Sequence, residues 1–94
     1  MTVEIVDLGA WGGAALLAEF DAERDAVAVN LRAVARVRAV LGEAEARRFV
    51  ACAVAHERYH RAHPGSSEAA AHAHAHAVCG VDPRRYEAAL RGLV

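Results

Sequence analysis

Residues 43–63, EAEARRFVACAVAHERYHRAH, decide how the rest of the chain is organised. Apolar and histidine side chains recur three or four positions apart in this stretch, which is the spacing of one face of an α-helix. Glu43 and Glu45 lie in the first turn, where acidic side chains interact favourably with the helix dipole. Pro64-Gly65 must end the helix. We therefore predict a helix from Glu43 to about Ala62.

The segments on either side also have helical spacing. Apolar residues in 31–41 predict a helix that ends at Gly42, a residue suited to a helix C-terminus. After Pro64-Gly65, Ser66 or Ser67 is expected to cap a third helix from Glu68 to about Val78, ended by Gly80. Asp82-Pro83 is typical of a helix start and predicts a short last helix through Leu90.

The first thirty residues have strand propensity. Residues 3–8, 14–20 and 26–30 are short apolar runs, and the polar segment 21–25 predicts a β-hairpin between the last two. We expect three short strands in an antiparallel sheet with one face covered. Strands followed by about four helices predict an α+β fold, and 94 residues predict a single domain over 1–94.

Composition excludes several classes of protein. The chain is 55% hydrophobic and 24% charged, which is too apolar for a disordered tail. A net charge of −1 favours neither nucleic-acid nor membrane-surface binding, and no apolar run approaches the ~20 residues that span a bilayer. No signal peptide is apparent, so we expect a cytoplasmic protein. Cys52 and Cys79 are then expected to stay reduced and to pack as small apolar side chains.

Histidine is distributed unevenly, because all six histidines lie between positions 56 and 76. His56 and His60 are one helical turn apart, so both imidazoles can reach one tetrahedral ion at about 2.0–2.1 Å. Glu57 follows the first histidine and lies slightly off that face. This position suits a base that acts on water better than it suits a direct metal ligand. The segment His56-Glu57-Arg58-Tyr59-His60 therefore predicts a divalent-metal site, with zinc as the expected ion.

The third helix carries a matching set of side chains. Glu68, His72 and His76 are four residues apart and share one face, whereas His74 points elsewhere. The short connection 64–67 forces an antiparallel helix hairpin, which brings this face toward His56 and His60. Glu68 or His72 is the expected third ligand. Three ligands would leave an open position for catalysis, and four would close the site into a structural one.

These motifs resemble those of the ImmA/IrrE-type metallopeptidases, within the broader gluzincin group. Residues 26–30, AVAVN, resemble the strand before the first helix of that family, and 48–57, RFVACAVAHE, resemble its approach to the His-Glu-x-x-His motif. His63 resembles a histidine often found just after the motif. Residues 67–75, SEAAAHAHA, resemble the third-ligand helix, except that His72 stands where the family has Asp or Asn.

The resemblance implies a zinc-dependent hydrolase acting on a peptide or protein substrate. It implies zinc ligation by His56, His60 and Glu68, with Glu57 as the catalytic base. It also implies a role beside a transcriptional regulator. The alternative is a non-catalytic metal-binding or regulatory interaction module on a degenerate metallopeptidase fold.

Overall fold

The helices begin and end close to where the sequence predicts. The computed structural model describes residues 2–11, 14–15 and 17–91. Its four α-helices are α1 (Leu31–Leu41), α2 (Glu43–Ala62), α3 (Glu68–Cys79) and α4 (Glu87–Leu90). The predicted last helix begins as a 3₁₀ turn, Pro83–Tyr86, before α4. No helix in the described part of the chain combines the length and apolar character that a bilayer crossing requires.

Local capping explains these boundaries. The Asn30 side chain accepts a hydrogen bond from the backbone N–H of Arg32 at the start of α1. Ser67 does the same for Ala70 at the start of α3, so Ser67, and not Ser66, is the cap. Gly80 ends α3 in the left-handed conformation with φ +74°, which glycine adopts without steric cost.

Five strands precede the helices: β1 (Thr2–Val6), β2 (Ala10–Trp11), β3 (Ala14–Ala15), β4 (Ala18–Asp21) and β5 (Ala26–Asn30). The apolar run at 14–20 is thus divided between β3 and β4, and its Leu16 lies outside the described residues. β2 and β3 pair with each other in a separate two-stranded sheet, which the sequence did not predict.

The main sheet is mixed, so the prediction of an antiparallel sheet is wrong for one of its two pairings. β4 and β5 form the predicted hairpin around the turn at 22–25. β1 instead lies on the other side of β5 and runs parallel to it, with Thr2 opposite Ala26. Burial explains this order. β5 has no charged residue and takes the centre, whereas the edge strands carry Glu4 and Glu19, which can reach water there.

The hydrophobic core lies between this sheet and the helices. The ring of Phe49 on α2 packs edge-to-face on the ring of Tyr86, with 5.3 Å between centroids. The core brings one face of α2 against the sheet and α1 and leaves the histidine face toward α3. The buried core side chains are Val27, Val29, Ala33, Val34, Val37, Ala46, Phe49, Cys52, Val54, Val81 and Tyr86.

The two cysteines are joined, so the expectation that they stay reduced is wrong. Cys52 on α2 and Cys79 at the end of α3 form a disulfide with 5.9 Å between Cα atoms. The two residues lie almost equally far along the chain from Gly65 in the turn, so an antiparallel hairpin places them opposite each other. The bond therefore joins the two helices that carry the histidines.

Candidate metal centre

The two histidines of the motif meet on one face of α2, as their spacing predicts. The Nε2 atoms of His56 and His60 are 3.0 Å apart, and their ring centroids are 4.8 Å apart. Both side chains are half-buried. The last two turns of α2 therefore present two imidazole nitrogens to the same point in space.

Glu68 reaches that point from the opposite helix. It is the first residue of α3, directly after the Ser67 cap, and its position follows from where that helix begins. The Oε2 atom lies 3.0 Å from His56 Nε2, and the Oε1 atom lies 2.8 Å from His60 Nε2. The hairpin thus brings a carboxylate to both imidazoles, as predicted for Glu68.

The donor set fits a divalent transition metal. Four ligands at 2.0–2.1 Å from a tetrahedral ion are separated by about 3.3 Å. The contacts among His56, His60 and Glu68 are 2.8–3.0 Å long, slightly closer than that spacing, but Glu68 reaches His56 through Oε2 and His60 through Oε1, so the triangle is one of three side chains and not of three single atoms. Each of the three side chains places a possible ligand atom beside the other two. Imidazole and carboxylate are ligands that zinc accepts.

His72 lies beside this triangle. Its ring centroid is 5.0 Å from that of His56, and the ligand atoms of His56, Glu68 and His72 all lie within 4.8 Å of one another. Among the described residues, His72 makes no hydrogen bond or ion pair to the other three. With His56 and Glu68, His72 therefore forms an alternative set of three possible ligands.

Glu57 lines a cleft together with His56, Glu68 and His72, and His60 is not among the described residues of its wall. The cleft has a volume of about 300 Å³. Burial raises the pKa of the Glu57 carboxyl, and His60 nearby partly opposes that shift. A carboxyl with a raised pKa holds a transferred proton more readily than an exposed one, which suits a general base.

Burial also affects the first histidine. It lowers the pKa of His56, with the facing Glu68 carboxylate opposing the shift and the neighbouring histidines adding to it. The neutral imidazole, which has a free lone pair, is therefore the favoured form over a wider pH range. This is the form that binds metal.

The turn between the helices contributes a contact that the sequence analysis missed. The Nδ1 atom of His60 lies 3.0 Å from the Oγ atom of Ser66. The sequence feature that could have predicted this contact is a serine six residues after His60, in a short turn that keeps it near the end of α2. Sequence reasoning considered Ser66 only as a helix cap.

The other histidines lie outside the cluster. Tyr59 is half-buried between two of them, with ring centroids 4.5 Å from His63 and 5.1 Å from His74. His76 is exposed and lines a separate groove with Asp82. The packing of Tyr59 and the position of His74 away from the site agree with the prediction. His76 was predicted to share the ligand face of Glu68 and His72, but it does not lie at the candidate metal site.

In comparisons with known proteins, no protein-family model, curated protein or solved structure matches the chain. The resemblance to ImmA/IrrE-type metallopeptidases therefore stays a prediction.

Proposed function

We propose that this chain is a zinc-dependent hydrolase that cleaves peptide bonds. The observation that carries the proposal is the triangle of His56, His60 and Glu68 donors, with Glu57 on the wall of the adjoining cleft. Zinc held by the three donors would lower the pKa of a water molecule to about 7 and polarise a substrate carbonyl.

The chain's own residues supply the remaining chemistry. The Glu57 carboxylate accepts the proton of the attacking water and delivers it to the leaving amine. Its half-buried position supports this role, because a carboxylate shielded from bulk water holds a transferred proton more readily. His56, His60 and Glu68 would hold the metal and need not exchange protons during the reaction.

The cleft supports a peptide as the substrate. β4 is an edge strand of the main sheet, and its Ala18, together with Leu17 just before it, lines the cleft. A sheet edge offers backbone N–H and C=O groups to an extended peptide. Apolar side chains also form part of the wall and can contact a substrate side chain; they are Leu17, Ala18, Phe49, Ala53 and Leu90.

Two substitutions test the proposal. Glu57→Gln keeps the shape of the side chain and the metal ligands, so we expect zinc binding close to that of the natural chain and loss of cleavage of a quenched-fluorescent peptide library. His60→Ala removes a ligand, so we expect loss of zinc as well. His63→Ala is the matched control, because His63 is an exposed histidine just beyond the same helix. Full activity in Glu57→Gln would contradict the proposed mechanism.

A non-catalytic metal module is the second candidate, and the position of His72 favours it. If His72 rotates to join His56, His60 and Glu68, four protein ligands close the site and exclude substrate. The absorption spectrum of the cobalt-substituted protein separates the two functions. A spectrum that changes when a small anion such as azide is added indicates an open position, and one that does not change indicates a closed site.

A further inference from the structure

The hydrogen bond between His60 and the interhelical turn assigns a role to Ser66. We propose that Ser66 is a positioning residue, which holds the His60 ring in the orientation that presents Nε2 to a metal. The inference rests on the proposed metal site and adds a residue that the site requires but that touches neither metal nor substrate.

The chemistry of imidazole explains why a partner at Nδ1 matters. A neutral histidine carries one ring proton, so a lone pair on Nε2 for the metal requires the proton on Nδ1. The Nε2 atom of His60 faces the Glu68 carboxylate at 2.8 Å, and without a metal this contact favours a proton on Nε2 instead. The Ser66 hydroxyl, 3.0 Å from Nδ1, can accept the Nδ1 proton when Nε2 binds a metal and can donate to Nδ1 in the other tautomer, so the contact orients the His60 ring in both states.

The turn holds Ser66 in place for this contact. The backbone N–H of Ser66 donates to the carbonyl of His63 at 3.0 Å, and the Ser66 residue is half-buried. His60 lies in the last turn of α2, one turn before that carbonyl. The end of α2 and the Ser66 hydroxyl therefore belong to one hydrogen-bonded unit, which limits rotation of the His60 ring.

The contact distinguishes His60 from the other ligand on α2. Among the described residues, the Nδ1 atom of His56 has no hydrogen-bond partner, and its ring is positioned by packing beside His60 and His72.

The neighbouring serine provides a matched control. Ser67 is adjacent in the chain and is also hydrogen-bonded through Oγ, but its partner is the backbone N–H of Ala70 at the start of α3. Loss of the Ser67 hydroxyl weakens a helix cap and leaves the His60 tautomer unaffected. Ser66→Ala and Ser67→Ala therefore separate positioning of a ligand from general stability of the hairpin.

The experiment measures zinc affinity by competition with a chromophoric chelator, and the His60 tautomer by two-bond ¹⁵N–¹H correlation in the full chain. We expect Ser66→Ala to weaken zinc binding by about 10- to 100-fold and to change the ratio of the two neutral tautomers of metal-free His60, because Nδ1 loses its hydrogen-bond partner. Ser66→Thr retains the hydroxyl and should restore both. Ser67→Ala should leave the His60 tautomer ratio unchanged, and any loss of zinc affinity from the weakened cap before Glu68 should be smaller than that in Ser66→Ala.

The possible results separate the role of Ser66 from the proposed metal site. Tight zinc binding by the natural chain, together with equal affinity and an unchanged tautomer in Ser66→Ala, would overturn the role of Ser66 and leave the proposed function standing. A loss of affinity in Ser67→Ala as large as that in Ser66→Ala would also overturn it, because general stability of the turn would then explain both. Failure of the natural chain to bind zinc would contradict the proposed function, and the positioning role with it.

Discussion

Reduction of the Cys52–Cys79 disulfide should destabilise the chain by a large and calculable amount. The bond closes a loop with a sequence separation of 27 residues, and that loop contains every candidate ligand from His56 to His72. In the chain-entropy description, a closed loop restricts the unfolded chain far more than the folded one. Cutting the loop therefore stabilises the unfolded state.

The loop length fixes the expected magnitude. For about 27 residues, the loop-closure relation gives an entropy loss of about 12 cal/mol/K, or about 3.5 kcal/mol at 25 °C. Domains of this size typically have about 5–15 kcal/mol of unfolding free energy in total. Reduction should therefore remove a substantial fraction of the unfolding free energy. The folded reduced chain should still contain its helices, because their hydrogen bonds are local.

The assay is urea unfolding followed by circular dichroism at 222 nm, with and without a phosphine reductant. A metal chelator is present in both samples, so that zinc cannot bind the released thiols. The control is Cys52→Ala/Cys79→Ala, whose unfolding free energy should not respond to reductant. A difference below about 1 kcal/mol between oxidised and reduced natural chain would refute the loop-entropy reasoning. Alkylation of both thiols without reductant would refute the pairing itself.

Three further predictions concern the fold that holds the site. Phe49→Ala should lower the unfolding free energy by about 3–5 kcal/mol, because the ring is 5% exposed and packs on Tyr86; urea unfolding measures this, and a loss below about 1 kcal/mol would contradict the packing. Asn30→Ala should cost about 2–3 kcal/mol in the same assay, since it removes the α1 cap and the side-chain bonds to Leu8 and Gly9; Asn30→Asp should retain the cap and lose less. Hydrogen bonding to Arg84 lowers the pKa of Asp82 from 3.8 to about 2, so its contribution is complete above pH 4 and is lost as the pH falls toward 2. Asp82→Asn should make the thermal midpoint less dependent on pH in that range, and an unchanged pH dependence would contradict the assignment.

The helices were predictable because their signals are local. Periodicity, Pro64-Gly65 and the caps at Ser67 and Gly80 lie within a few residues of the boundaries that they determine. The order of the strands depends on which apolar run takes the central position in the sheet. That position is decided by contacts between residues that are far apart in the sequence. The uncharged run Ala26–Asn30 contained that information, but the parallel pairing with β1 becomes evident only when burial of the central strand is considered.

The candidate site was predictable to a similar extent. The i, i+4 spacing of His56 and His60 places both on one face, and the short turn brings Glu68 to them. The disulfide and the Ser66 contact were missed, because both depend on the register between α2 and α3. That register could have been estimated by counting outward from Gly65.

The most direct test of the metal site is X-ray absorption at the zinc edge, combined with elemental analysis, on tag-free protein dialysed against zinc. From the proposed zinc site we expect about one zinc per chain, bound by two imidazoles, one carboxylate and one exchangeable light-atom ligand at about 2.0–2.2 Å. Loss of the metal in His60→Ala, and its retention in His63→Ala, would assign the imidazole ligation. The proposed zinc site would be contradicted if the natural chain retained no zinc after dialysis. It would also be contradicted if His60→Ala bound zinc as well as the natural chain does.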